Sequence, residues 1–193
     1  MSTQTDDFLP QGYEVPKSDS SYLKLVGGDN KFRILSKPII GWVDWKDKKP
    51  YRFPMDKKPA APFSPTQDIR HFWAFVVWDY TAKRISIFEL TIKGIQNAIA
   101  GLQANPDWGS PLNYDITINK VGTTMADTKY TTVPSPPKPV HAKIAELYAE
   151  TPIKLEALFD GKDPFDVNKP APDTNHSSPA EITSAPDGDD LPF

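Results

Sequence analysis

Two apolar arms joined by a short polar break dominate this chain. His71-Phe72-Trp73-Ala74-Phe75-Val76-Val77-Trp78-Asp79-Tyr80 leads through a polar turn into Ile85-Ser86-Ile87-Phe88-Glu89-Leu90-Thr91-Ile92. Aromatic and β-branched residues crowd both arms and Asp79 to Arg84 interrupts them, so the pattern predicts a β-hairpin. Alternation along a strand puts Phe72, Ala74, Val76, Trp78 and Tyr80 on one face of the first arm and Trp73, Phe75 and Val77 on the other. Both faces are apolar. Such a strand either lies between two layers, or buries one face and offers the other to a ligand.

A chain of 193 residues suits one domain with tails, and 21 prolines leave part of it unpacked. Residues 1–20 read as a flexible arm, 21–161 as the domain, and 162–193 as a disordered tail of Pro, Ser, Asp, Asn and Thr. Within the domain, Tyr22 to Val26 and Lys31 to Leu35 read as strands around a Gly27-Gly28-Asp29-Asn30 turn, and Ile39 to Trp45 continues in extended form. Lys57 to Pro65 is a proline-stiffened connector. Ile92, Ile95, Ala98, Ile99 and Leu102 fall at helical spacing and predict a helix over Thr91 to Ala104. Tyr114 to Val133 reads as a second hairpin. Val140, Ile144 and Leu147 mark a short helix, and Thr151-Pro152 reads as the N-cap and first position of another that carries Leu155, Leu158 and Phe159 and ends at Gly161.

Charge is distributed unevenly. The formal net charge is −3, yet residues 17–143 hold 19 Lys and Arg against 11 Asp and Glu, while residues 163–193 hold seven acids against Lys169. A basic body with an acidic tail suits a polyanion-binding domain whose tail competes for the same surface. From Lys31 to Lys58 nine basic residues interleave with Phe32, Trp42, Trp45, Tyr51 and Phe53. Cations track phosphates while flat rings stack on bases, which is the mixture single-stranded nucleic acid requires; the plainer reading is a solvated basic loop above core aromatics.

Several function classes find no support. Without cysteine there are no disulfides and no thiolate zinc sites, which fits a reducing cytoplasm. No run approaches 18 apolar residues and the first ten residues are polar and acidic, so a soluble cytoplasmic protein without a membrane partner is expected. His71, His141 and His176 are dispersed, and no metalloprotease, phosphate-loop or nucleophile-elbow pattern occurs. The spacing of Asp79, Glu89, Asp115 and Asp127 predicts no nuclease site. No catalytic residue, metal or cofactor is expected.

The chain ends in Asp187-Gly188-Asp189-Asp190-Leu191-Pro192-Phe193, an apolar plug directly after a cluster of acids. Asp187, Asp189 and Asp190, with Leu191, Pro192 and Phe193, are candidates for docking into a pocket on a partner protein.

These segments resemble the single-stranded DNA-binding proteins of tailed bacteriophages. The resemblance covers roughly residues 20–150 and rests on Tyr22 to Val26, Phe32 to Leu35, Gly41-Trp42, the His71 to Tyr80 arm with Ile85 to Leu90, Trp108-Gly109-Ser110-Pro111, Tyr114-Asp115-Ile116, and Lys120-Val121-Gly122 leading to Thr128-Lys129-Tyr130. The acidic ending in Pro-Phe looks like the tail of bacterial single-stranded DNA-binding proteins. The resemblance implies a mainly β, OB-fold-like, partly open barrel of about five strands with a helix, coating single-stranded DNA in phage replication and recombination while the tail recruits replication and recombination proteins. Some phage relatives carry a zinc site that a chain without cysteine cannot build in its usual thiolate form. The strand count read from the residues agrees with such a barrel plus an extension.

On this reading Trp45, Tyr51, Phe53, Trp73 and Phe75 stack on bases, and Lys46, Lys48, Lys49, Arg52, Lys57, Lys58, Arg70 and Lys120 meet phosphates. Trp42, Trp78 and Phe88 are expected in the core. The alternatives are an OB-like phage scaffold that binds protein, and a binder of single-stranded RNA. Self-association is left open.

Overall fold

The computed structural model describes residues 21–166, Met125 excepted. Its organising strand is the first arm of the central hairpin, which spans Arg70–Asp79 and is the fourth of seven strands, all antiparallel: β1 (Gly28–Ile34), β2 (Ile39–Lys46), β3 (Lys49–Pro54), β4 (Arg70–Asp79), β5 (Arg84–Leu90), β6 (Asp115–Val121) and β7 (Lys129–Pro134). β5 pairs with β4 from Trp73↔Leu90 to Asp79↔Arg84. The other edge of β4 is shared. Its first half pairs with β2 (Ile40↔Trp73, Trp42↔His71), and its second half pairs with β1 (Ile34↔Val77, Phe32↔Asp79). The sheet therefore forks at β4, and at the fork the Ser36 hydroxyl accepts the Val76 N–H at 2.9 Å.

One branch, β5-β4-β1-β6-β7, curls into a partly open barrel, and helix α1 (Lys93–Ala104) connects β5 to β6 and packs against β7. In barrel order the helix lies between the third and fourth strands, an arrangement compatible with an OB-fold. The other branch is the hairpin β2–β3, inserted between the first and second barrel strands. The expected fold class is thus found, with seven strands instead of about five: β3 forms where the sequence suggested only a basic stretch. Asp47 (φ 51) and Lys48 (φ 62) make its two-residue turn, and positive φ at both positions matches the twist of the flanking strands. Gly41 is needed on β2 because a Cβ there would run into the backbone carbonyl of Phe53.

From Ala74 to Val77 both faces of β4 are covered, the first of the two arrangements its apolar pattern permits, while His71 and Trp73 near its start are half-buried. Phe75 and Val77 join Phe32, Phe88, Ile95, Ile99 and Ile116 in the barrel core, while Phe72, Ala74 and Val76 join Val43, Ile87, Leu155 and Leu158 in a second core outside it. Fully burying each such side chain stabilises the fold by roughly 1.5–3 kcal/mol. The second core is capped by the C-terminal segments, namely α2 (Ala142–Glu150) and a 3-10 helix at Leu155–Asp160 that Gly161 ends in the left-handed region (φ 68).

Several local expectations shift. Tyr22 to Val26 is not a strand; it contributes only a parallel bridge from Tyr22 to Ile87 that covers part of the β5 edge. β1 starts already at Gly28, because the buried Asn30 amide closes the turn by bonding the Val26 N–H and carbonyl. Thr151 does not cap the last helix. It ends α2, its hydroxyl donating to the Leu147 carbonyl at 2.7 Å. Lys162 to Asp166, expected in the tail, stay with the domain: Pro164 accepts the Lys154 N–H at 2.9 Å and Phe165 packs on the second core. Residues 1–20 and 167–193, including the acidic tip, lie outside the described residues.

A buried carboxylate staples the barrel. Asp115, fully buried at the start of β6, takes Arg33 Nη1 at 3.3 Å, Lys31 Nζ at 3.3 Å, Lys138 Nζ at 2.9 Å and the Tyr80 hydroxyl at 3.0 Å. Burial alone would raise its pKa. The hydrogen bonds from Lys138, Tyr80 and Lys31 outweigh burial and hold it below the ordinary value. Burial and then the Asp115 charge push Tyr80 up to about 12. Asp115 thus has a structural occupation, tying β1, β6 and the segment after β7 together.

Candidate nucleic-acid interface

Residues directly opposed in adjacent antiparallel strands project to the same side of a sheet. The β3–β2–β4 registers pair Tyr51 with Asp44, Phe53 with Trp42, Trp42 with His71, and Ile40 with Trp73. One face of this three-stranded sheet therefore carries Tyr51, Phe53, Ile40, Trp42, His71 and Trp73. Along β4 the same side continues into Phe75 and Val77, so the aromatic face extends the concave interior of the barrel beyond its wall. Tyr51 is 43% and Ile40 41% exposed, while Trp42, Phe53, His71 and Trp73 are half-buried. The rings are mutually ordered. The Trp42 and His71 centroids stand 5.4 Å apart and those of His71 and Trp73 6.5 Å, both edge-to-face.

The segment 55–69 folds back onto this face. Asp44, fully buried among the rings, accepts the Trp45 N–H at 2.8 Å and the Phe63 N–H at 2.6 Å. That second bond sets the 48%-exposed Phe63 ring 5.1 Å from Tyr51 and 6.3 Å from Phe53. Trp42 Nε1 donates to the Met55 carbonyl at 3.2 Å, and the Lys58 ammonium sits 4.1 Å from the Trp42 ring centroid. Lys46 lies 5.9 Å from the Phe63 ring. Cations over ring faces place positive charge beside the aromatic rings instead of burying it in carboxylate pairs. Lys46, Lys48 and Lys49 ring the tip of the β2–β3 turn, and Lys57 and Lys58 start the overlying segment; all five are exposed.

The structure sorts the residues singled out in the sequence. Tyr51, Phe53 and Trp73 share the aromatic face. Trp45 does not: with Val43 it projects to the opposite side and packs on the second core, where Arg70 stands 5.6 Å from its ring. Phe75 is on the aromatic side but only 2% exposed, inside the barrel core. Arg52 is opposed to Val43 on the reverse side, and its guanidinium is held by Glu89 at 2.6 Å with 9% of the side chain exposed. Lys120 is opposed to Gly28, past the Asp79 end of β4, whereas the aromatic face lies at the Arg70 end; its Nζ donates to the Leu25 carbonyl at 3.4 Å. Phe88 is in the core as expected, Trp78 is half-buried, and Trp42, expected in the core, belongs to the aromatic face.

Sequence reasoning missed Phe63, His71 and Ile40 as members of this face. His71 and Ile40 share strand parity with Trp73 and Trp42, so the alternation held that signal. Phe63 had no comparable signal, because the Asp44 bond that seats it spans 19 positions.

Two concavities flank the face. Beyond Trp73, an apolar groove of about 660 Å³ runs between Pro38, Ile40, Trp73, Ile99 and Leu112. Beyond His71, a polar cavity of about 570 Å³ lies between residues 58–71 and the start of α1. Among the described residues no cluster of His, Asp and Glu could hold a metal ion, and no helix is long and apolar enough to cross a membrane. No family model matches the chain, and neither a curated protein nor a solved structure is significantly similar to it.

Proposed function

We propose that this protein binds single-stranded DNA with little sequence preference, coating it during phage replication and recombination. The observation that carries the reading is the row Phe53–Trp42–His71, with Tyr51, Phe63 and Trp73 beside it, on a partly exposed sheet face bordered by Lys46, Lys48, Lys49, Lys57 and Lys58. Every base has a π-face, so such a surface accepts any sequence, and an aromatic–base stack contributes about 1–3 kcal/mol. Trp42, Tyr51, Phe53, Phe63 and Trp73 are the stacking residues on this reading. Trp45, Phe75, Arg52 and Lys120 drop out, because they face the second core, fill the barrel, pair with Glu89 or lie at the far end of the sheet. The chemistry is recognition without catalysis. The choice of DNA and the phage setting rest on the sequence resemblance, and the acidic tip Asp187 to Phe193 is the segment assigned to recruiting replication and recombination proteins.

Titration of tryptophan fluorescence with oligo-dT, oligo-U and a duplex of equal length tests the reading. Strong quenching by oligo-dT, weaker by oligo-U and least by duplex is expected, since Trp42 and Trp73 lie on the proposed path. Preference for oligo-U reassigns the ligand to RNA, and no quenching favours the protein-binding scaffold.

A further inference from the structure

The cavity beyond His71 has a chemistry of its own. Lys58, Arg70, His71 and Lys93 line it against one acid, Asp68, with Thr91 on its floor. Among the described residues Lys58 and Lys93 have no carboxylate partner, in contrast to the paired Arg33, Lys31, Lys138 and Arg52, while the Arg70 guanidinium turns to the Trp45 ring on the reverse side. Lys93 opens α1, a helix with no acid in its first turn, where the backbone dipole disfavours a cation. Uncompensated positive charge is thus gathered into a concave space able to hold a phosphate.

Position fixes which part of a strand arrives there. His71 and Trp73 neighbour one another on the same side of β4, yet His71 lines the cationic cavity and Trp73 the apolar groove. We propose that this cavity is a backbone-phosphate site, so that a strand crossing β4 lays its phosphates toward Lys58 and Lys93 and its bases toward Trp42 and Trp73. The inference rests on single-stranded DNA binding and adds to it a backbone orientation and a phosphate contact, Lys93, that the basic stretch of the sequence does not contain.

The test compares full-length wild type with Lys93→Gln and with Lys83→Gln, which makes the same charge change in the β4–β5 turn at the opposite end of β4. Affinity for oligo-dT is measured from low to high salt, with thermal melting as a check on folding. Lys93→Gln should weaken binding several-fold at low salt and make the log–log salt slope shallower by about 0.7, the value for one phosphate contact on a single strand. Lys83→Gln should leave the slope unchanged, and Asp68→Asn should tighten binding. Equal effects of the two lysine substitutions, or none from Lys93→Gln, overturn the cavity proposal while leaving single-stranded DNA binding intact. Absence of oligo-dT binding by the wild type overturns both. Competition by inorganic phosphate beyond that of chloride at equal ionic strength, lost in Lys93→Gln, is expected of a shared phosphate site; Lys93-dependent phosphate binding that leaves oligo-dT affinity unchanged would assign the cavity to a free anion and overturn the backbone orientation.

Discussion

Tyr51→Ala and Phe75→Ala separate the surface that binds from the surface that folds. Tyr51 is 43% exposed on the edge strand β3, and its main contact is the edge-to-face pair with Phe63 at 5.1 Å. Losing that pair costs stability no more than about 0.5–1.5 kcal/mol. Losing a base stack costs about 1–3 kcal/mol of binding, roughly 5- to 150-fold in Kd. Phe75 is 2% exposed and meets Phe88 at 5.6 Å inside the barrel. Its truncation leaves a cavity and lowers stability by about 3–5 kcal/mol. Urea denaturation gives the stability arm, and a fluorescence titration with oligo-dT under conditions where each variant is folded gives the binding arm. Tyr51→Ala should shift mainly the second, Phe75→Ala mainly the first. A folded Phe75→Ala that binds poorly beside a Tyr51→Ala that binds like wild type would refute the assignment of the two rings.

Asp115→Asn should destabilise by about 3–5 kcal/mol, because it leaves the Arg33 guanidinium, 3% exposed, without its carboxylate. The Asp115 pKa is lowered in the folded state, so its stabilisation is present above the ordinary carboxylate pKa and is lost as pH falls through the folded value; acid titration of the urea midpoint should show this loss in wild type and less of it in Asp115→Asn. Arg52→Gln should lower stability, since it breaks the half-buried pair with Glu89, yet leave the salt slope of DNA binding unchanged; a shallower slope would return Arg52 to the phosphate path. Truncation after Asp166 should tighten oligo-dT binding by removing a tethered acidic competitor, with the cut placed there because Phe165 packs on the second core. Unchanged affinity would remove the competition model.

The central hairpin, α1 and the second hairpin are legible in the sequence, because alternation and helical spacing act over a few residues. The sidedness of the site is not. Trp42 and Trp45 are three positions apart on one strand and must face opposite ways, but nothing in their neighbours says which way is out, and only the packing of Leu155 and Leu158 from the distant C-terminal segment decides which side is covered. The same holds for β4, apolar on both faces because each meets a separate core. Arg52 looks like its lysine neighbours until Glu89, 37 positions away, is brought alongside. β3 was hidden by Pro50 and Pro54, which an edge strand tolerates and a central one does not.

The most direct measurement is ultraviolet cross-linking of oligo-dT to the full-length protein, with the adducts placed on individual residues by mass spectrometry. Adducts on Trp42, Tyr51, Phe53, Phe63 and Trp73, with none on Trp45 or Phe75, are expected from single-stranded DNA lying on the concave aromatic face. Adducts concentrated on Trp45 and on the C-terminal segments over the second core would place the strand on the opposite side of the sheet and contradict it.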